Sequence, residues 1–102
     1  MAPPELPPNE AATNYIDEGE TQDYQESFAA WLGNNTIASF SIEADGRLTI
    51  VSSANNDPVI DYTITARTDS SQGPWQVVKI TVTDSEGRVA IRLINFDVQA
   101  VP

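Results

Sequence analysis

Two stretches of this chain alternate apolar and polar residues with a period of two, and that spacing restricts its fold more than any other feature. In Val59 to Arg67, the residues Ile60, Tyr62, Ile64 and Ala66 share one face, while Asp61, Thr63, Thr65 and Arg67 share the other. Trp75 to Thr83 repeats the pattern, with Val78, Ile80 and Val82 inward and Lys79, Thr81 and Thr83 outward. A helix would spread each set around its circumference, so both stretches read as half-buried strands. Leu48 and Ile50 mark a shorter strand, and Ala38, Phe40 and Ile42 mark one before it. Near the end, Val89, Ile91 and Leu93 occupy one face and then Ile94, Phe96 and Val98 take over. That change of phase predicts one extra residue near Leu93 to Asn95, a bulge or a bend from one sheet to another.

Turn residues punctuate these runs. Asp45-Gly46 predicts a tight hairpin, and Ser85-Glu86-Gly87 turns the last pair. Asn55-Asn56-Asp57-Pro58 and Ser70-Ser71-Gln72-Gly73-Pro74 read as longer loops. Short strands separated in this way predict an all-β antiparallel sandwich. Thr21 to Gly33 is ambiguous by pattern: Tyr24, Phe28, Trp31 and Leu32 follow helical spacing, with Thr21 as cap and Gly33 as stop, and a strand through Tyr24 and Phe28 is the rival.

Four of the first eight residues are prolines, which favour extended backbone and remove donors. Residues 1–14 therefore read as an extended, acidic, Pro-rich arm and residues 15–102 as one folded domain. Pro3, Pro4, Pro7, Pro8 and Leu6, the arm's one large apolar side chain, are its candidate partner-binding residues. The first 46 residues hold nine acids and no lysine or arginine, against six acids and five bases in the rest. The expectation is that the acids of the body gather on one face or end, opposite Arg67, Lys79, Arg88 and Arg92.

A formal net charge of -10 opposes a phosphate backbone or an anionic bilayer, so neither nucleic acid nor membrane is expected as a partner. No apolar run approaches the length of a membrane helix, and Met1-Ala2-Pro3-Pro4 lacks the features of a signal peptide. With no cysteine and no histidine, thiolate metal sites, disulfides and hydrolytic triads are excluded. A carboxylate pair for glycoside hydrolysis has abundant residues but no sign of a pocket. Calcium is the stronger electrostatic case, with Asp17, Glu18 and Glu20 joined by Asp84 and Glu86 as candidate ligands, although no ligand loop of fixed spacing is present. Trp31 beside Leu32 reads as core. Trp75, at the mouth of a strand after Gly73-Pro74, reads as a candidate contact residue for a protein or a sugar ring. Asn34-Asn35-Thr36 matches a glycosylation sequon, a short pattern that needs a secreted setting.

Asp17-Glu18-Gly19-Glu20-Thr21-Gln22-Asp23-Tyr24, followed by Phe28-Ala29-Ala30-Trp31-Leu32-Gly33-Asn34-Asn35-Thr36-Ile37-Ala38-Ser39, resembles a family of small tailed-phage proteins described as fiber-tail adaptors or Ig-like virion proteins. Val51-Ser52-Ser53 and Gly87-Arg88 before an alternating strand add to the likeness, which runs from about Asp17 to Val98. The chain departs from the family pattern at Asn35, where an Asp is usual, near Ile42, where a Trp is usual, and in its longer arm. The resemblance implies an Ig-like antiparallel β-sandwich with a strand at Tyr24 to Phe28 and a helical turn through Trp31. It also implies a non-enzymatic virion protein, assembled in the host cytoplasm. Such a protein needs no cofactor and joins other virion structural proteins of the tail, fiber or head-tail region in a symmetric, multi-copy assembly. The alternative expectation is an Ig-like repeat of a bacterial surface adhesin, stabilised by calcium.

Overall fold

The computed structural model describes residues 13–68 and 73–100, which form strands β1 (Thr13–Asp17) and β2 (Thr21–Ser27), a single helical turn α1 (Ala29–Leu32), and strands β3 (Ile37–Ala44), β4 (Leu48–Asn56), β5 (Val59–Ala66), β6 (Trp75–Asp84) and β7 (Val89–Gln99). They make two sheets, ordered β1-β7-β6-β3 and β2-β5-β4. Every pairing is antiparallel except that of β1 with β7, which is parallel. The second, fifth and fourth strands thus face the third, sixth and seventh, which is the immunoglobulin arrangement, with the first strand carried on the edge of the seventh. The architecture is the expected all-β, Ig-like sandwich.

The alternating stretches supply its interior. Ile60, Tyr62, Ile64 and Ala66 of β5 and Val78, Ile80 and Val82 of β6 are all buried, and Phe28, Ile94 and Phe96 fill the space between. Each such aliphatic side chain contributes roughly 1.5–3 kcal/mol by leaving water. Tyr24 stacks on Tyr62 with centroids 5.7 Å apart and meets the edge of Phe96 at 5.0 Å.

Strand and helix divide the ambiguous segment as the resemblance implies. β2 holds its pairing with β5 through Ser27, and the Phe28 amide then bonds the Pro58 carbonyl at 2.9 Å. One turn follows, closed by Leu32 N–H to Phe28 O at 2.9 Å and ended by Gly33 at φ 62°. Trp31 in this turn is half-buried against the core, as expected. Thr13 and Asn14, read from the sequence as the end of the arm, belong to the folded body and pair with Asn95 and Phe96 of β7. The remaining arm residues, and most of the 70–74 loop, lie outside the described residues.

Several expectations need correction. Asp45-Gly46 does not close a hairpin: β3 pairs with β6 and β4 with β5, so this turn carries the chain from one sheet to the other. A turn signal reports that the chain reverses, not which strand it reverses onto. Asp57-Pro58, read as part of a longer loop, is instead the two-residue connection of the β4–β5 hairpin, with a cis peptide bond. In β3 the register shifts between Ile37 and Ser39, so Ala38 is the bulged residue and is exposed, while Ile37 takes the buried position. The register of β7 against β6 is unbroken from Val89 to Asp97, so no bulge lies near Leu93. The strand keeps one phase, with Ile94, Phe96 and Val98 inward, and Val89, Ile91 and Leu93 stay on the solvent side.

The charges are not segregated either. Glu18 and Glu26, from the all-acidic front of the chain, pair with Arg47 and Arg92 from its back. Arg92 bonds Glu26 at 2.5 Å, donates to the Ser27 carbonyl at 3.1 Å and lies 4.5 Å from the Phe28 ring centroid, joining β7 to β2 across the sandwich.

Candidate functional site

The two outer faces of the sandwich differ in chemistry. On the β2-β5-β4 sheet, outward positions are short and polar: Thr21 and Thr65 share a hydrogen bond of 2.7 Å, and Thr63 donates to Asp23 at 2.7 Å. A concavity of about 730 Å³ spans the middle of this sheet, lined by residues that include Asp23, Gln25, Ser52, Asp61 and Thr63. One carboxylate oxygen of Asp61 there accepts from Asn56 at 3.3 Å, and the other is buried without a partner. Tyr24, Tyr62 and Ala54 also line it, so the concavity is part apolar.

The outer face of the β1-β7-β6-β3 sheet is apolar along β7 and at the start of β6. Val89 is 57% exposed, Ile91 54% and Leu93 39%, each on the solvent side of β7. Trp75 and Tyr15, both 65% exposed, stand on either side of Asp97, which is the register partner of each. Two strand spacings separate them, about 10 Å. The row from Val89 to Asp97 covers roughly 26 Å of strand. Beside Leu93 sits its register partner Lys79, the chain's single lysine, itself opposite Glu43. Aromatic and aliphatic groups are thus exposed together along one sheet face, rimmed by charge.

Of the residues the sequence singled out, Trp75 lies on this face. Pro3, Pro4, Leu6, Pro7 and Pro8 are outside the described residues. Tyr15, Val89, Ile91 and Leu93 join Trp75 without having been picked out as contact residues. The signal for three of them was present in β7, where Val89, Ile91 and Leu93 form an apolar set in one phase and Ile94, Phe96 and Val98 form another in the opposite phase: a strand with one interior face buries only one such set.

The proposed calcium ligands do not converge. Asp17, Glu18 and Glu20 lie at the end of the sandwich where β7 finishes, since Asp17 pairs with Gln99. Asp84 and Glu86 lie at the opposite end, in the turn that starts β7. Glu18, Glu20 and Asp84 are also engaged by other partners. Glu20 accepts from the Asp17 amide at 2.9 Å and from Gln22 at 2.6 Å, bonds that hold its carboxyl below the ordinary value. Asp84, 1% exposed, accepts from the amides of Glu86 and Arg88, from the Arg88 guanidinium at 2.6 Å and from Asn35 at 3.1 Å. No cluster of three acids suited to a metal ion occurs among the described residues.

Both ends are instead tied internally. At one, the Arg47 guanidinium donates to Glu18 at 2.8 Å, to Gly73 O at 2.7 Å and to Arg67 O at 3.3 Å, while its own amide donates to Gln76 at 3.1 Å. At the other, Arg88 lies 4.8 Å from the Trp31 ring centroid while it holds Asp84. These networks satisfy polar groups at both ends of the sandwich, and the apolar outer face of β7 and β6 lies outside them. No known protein family matches the sequence, and no curated protein matches it either.

Proposed function

We infer that this chain is a non-enzymatic structural module that joins larger components through protein–protein contacts. The observation that carries the reading is the apolar outer face formed by Trp75, Tyr15, Val89, Ile91 and Leu93, which gathers the exposed large apolar side chains of the described residues other than Val51. A flat sheet face of this kind binds a surface, not a small molecule. The setting, a tailed-phage virion in which the chain acts as an adaptor or decoration module for tail, fiber or head-tail proteins, rests on the resemblance of Asp17 to Ser39 to that family. A single contact face suits copies arranged around a symmetric ring, each meeting the same neighbour in the same way.

Mass spectrometry of purified particles tests the virion reading. The expected result is the chain present at a copy number set by particle symmetry, and its absence from particles sinks the reading. Lysine-directed cross-linking tests the face, because Lys79 is the only lysine and stands beside Leu93. Cross-links from Lys79 to a second structural protein are expected. A Lys79 that reacts in assembled particles as freely as in the isolated chain would place the contact elsewhere.

A further inference from the structure

The charges on the outer face of the β1-β7-β6-β3 sheet are mostly of one sign. Strand alternation and register turn Asp17, Glu43, Lys79 and Asp97 outward there, around the exposed row of β7. Asp45 joins them just past the end of β3, where its amide donates to Val77 O at 3.1 Å and its carboxylate accepts from Val77 N–H at 2.9 Å. Acids thus outnumber the single lysine, and none of these acids takes part in an ion pair among the described residues.

Two of the acids share a hollow. A concavity of about 270 Å³ is lined by Glu43, Ala44, Asp45, Val77, Lys79 and Leu93. Leu93 is also the last member of the exposed row that starts at Val89, so the apolar strip on β7 runs into the wall of the hollow. Glu43 and Asp45 are two positions apart, about 7 Å along the strand direction. Against their two negative charges the hollow holds the one positive charge of Lys79, so a single further cation balances it.

We propose that the partner of this face, on the adaptor reading given above, is a protein surface that is basic around an apolar patch, and that one of its arginines seats in this hollow. The methylene stem of an arginine lies along apolar surface while its head stays polar, and Leu93 and Val77 supply that surface. Its planar guanidinium presents five donors in a fixed fork, which suits two carboxylates several ångströms apart better than the point charge of a lysine does. The bond from Val77 N–H already orients the Asp45 carboxylate, so less side-chain freedom is lost on docking. The formal charge of -10 steers a basic surface toward the chain and repels both an acidic partner and a second copy.

Two measurements test the proposal, and the first needs no particle. In amide NMR spectra of the isolated chain, N-acetyl-arginine amide should shift the resonances of Asp45, Val77, Lys79 and Leu93, and N-acetyl-lysine amide should shift them less. Glu43→Gln combined with Asp45→Asn removes both charges and keeps an oxygen to accept from Val77 N–H. This double variant should lose the arginine shifts, while unmoved amides of Ile64 and Ile80 report an intact fold. No shifts in the natural chain, equal shifts with the lysine probe, or shifts centred on Asp23 and Asp61 overturn the proposal. In particles, the double variant should be incorporated roughly tenfold less than the natural chain, because arginine anchors carry much of an interface's energy. Asp23→Asn, which removes an acid from the opposite sheet, should be incorporated normally. Normal incorporation of the double variant beside loss of Ile91→Glu overturns the basic partner and leaves the adaptor reading standing, whereas absence of the natural chain from particles is the separate failure of that reading.

Discussion

Glu18 and Arg47, one from the turn after β1 and the other from the crossover between the sheets, meet at 2.8 Å with only 4% of the arginine side chain exposed. Arg47 also holds the carbonyls of Arg67 and Gly73, so its loss removes a donor from one carboxylate and two carbonyls, of which Gly73 O keeps only the longer bond from Gln76 at 3.4 Å. Arg47→Ala should destabilise the fold by about 3 kcal/mol, read from the midpoint of urea unfolding. Arg47→Lys should recover little of it, because one ammonium cannot reproduce a fork that reaches three acceptors in different directions.

Asp84 makes stability depend on acid. Burial pushes its carboxyl up, but the Arg88 amide, the Arg88 guanidinium, the Glu86 amide and Asn35 all favour the charged form, and the net position is below the ordinary value. A carboxylate held lower in the folded state stabilises above its unfolded value, near pH 4. That contribution is lost as the pH falls from there through the lowered folded value. Urea midpoints measured over this window should decline for the natural chain and decline less for Asp84→Asn.

The Tyr24 hydroxyl is buried without a hydrogen-bond partner, although the ring packs between Tyr62 and Phe96. Tyr24→Phe keeps both ring contacts and removes an unsatisfied donor, so the variant should be at least as stable as the natural chain, by up to roughly 1 kcal/mol. A Tm lower by several degrees would show that the hydroxyl has a partner in solution.

Ile91 is exposed and opposes Thr81, so Ile91→Glu changes no interior contact. Its unfolding midpoint should stay within about 0.5 kcal/mol of the natural chain. Incorporation into particles, measured by complementation with the variant gene, should fall sharply, because a charge placed in an apolar contact must be desolvated. Thr63→Glu on the opposite sheet is the matched control and should be incorporated normally.

Calcium should not alter thermal unfolding. The acids that sequence composition offers as ligands sit at opposite ends of the sandwich, and Glu18 and Asp84 are already paired with arginines. Melting curves in calcium and in chelator should coincide. A rise of several degrees in calcium would favour the adhesin-repeat alternative and count against the virion reading.

What the sequence made legible was mostly local. The inward faces of β5 and β6 follow directly from alternation, and Gly87 at φ 87° closes the β6–β7 turn where Ser85-Glu86-Gly87 signals it. What it hid was relational. Nothing in Asp45-Gly46 says that the next strand belongs to the other sheet, and nothing local ties Glu26 to Arg92, 66 residues away. The misread phase of β7 has the same origin. Val89, Ile91 and Leu93 look in a string like residues bound for the interior, and only the unbroken register with β6 shows that Ile94, Phe96 and Val98 already hold that side. The exposed apolar face was therefore visible in the sequence as an apparent irregularity of the core.

The parallel pairing of β1 with β7 has a mechanical meaning. In parallel strands the chain enters β1 at one end and leaves β7 at the other, so tension on the two draws neighbouring strands past each other along their length. The paired residues Thr13 to Asp17 resist that sliding together, whereas strands pulled apart from one end would release their bonds one at a time. A module strung between two larger bodies by its ends would be loaded in its stronger direction.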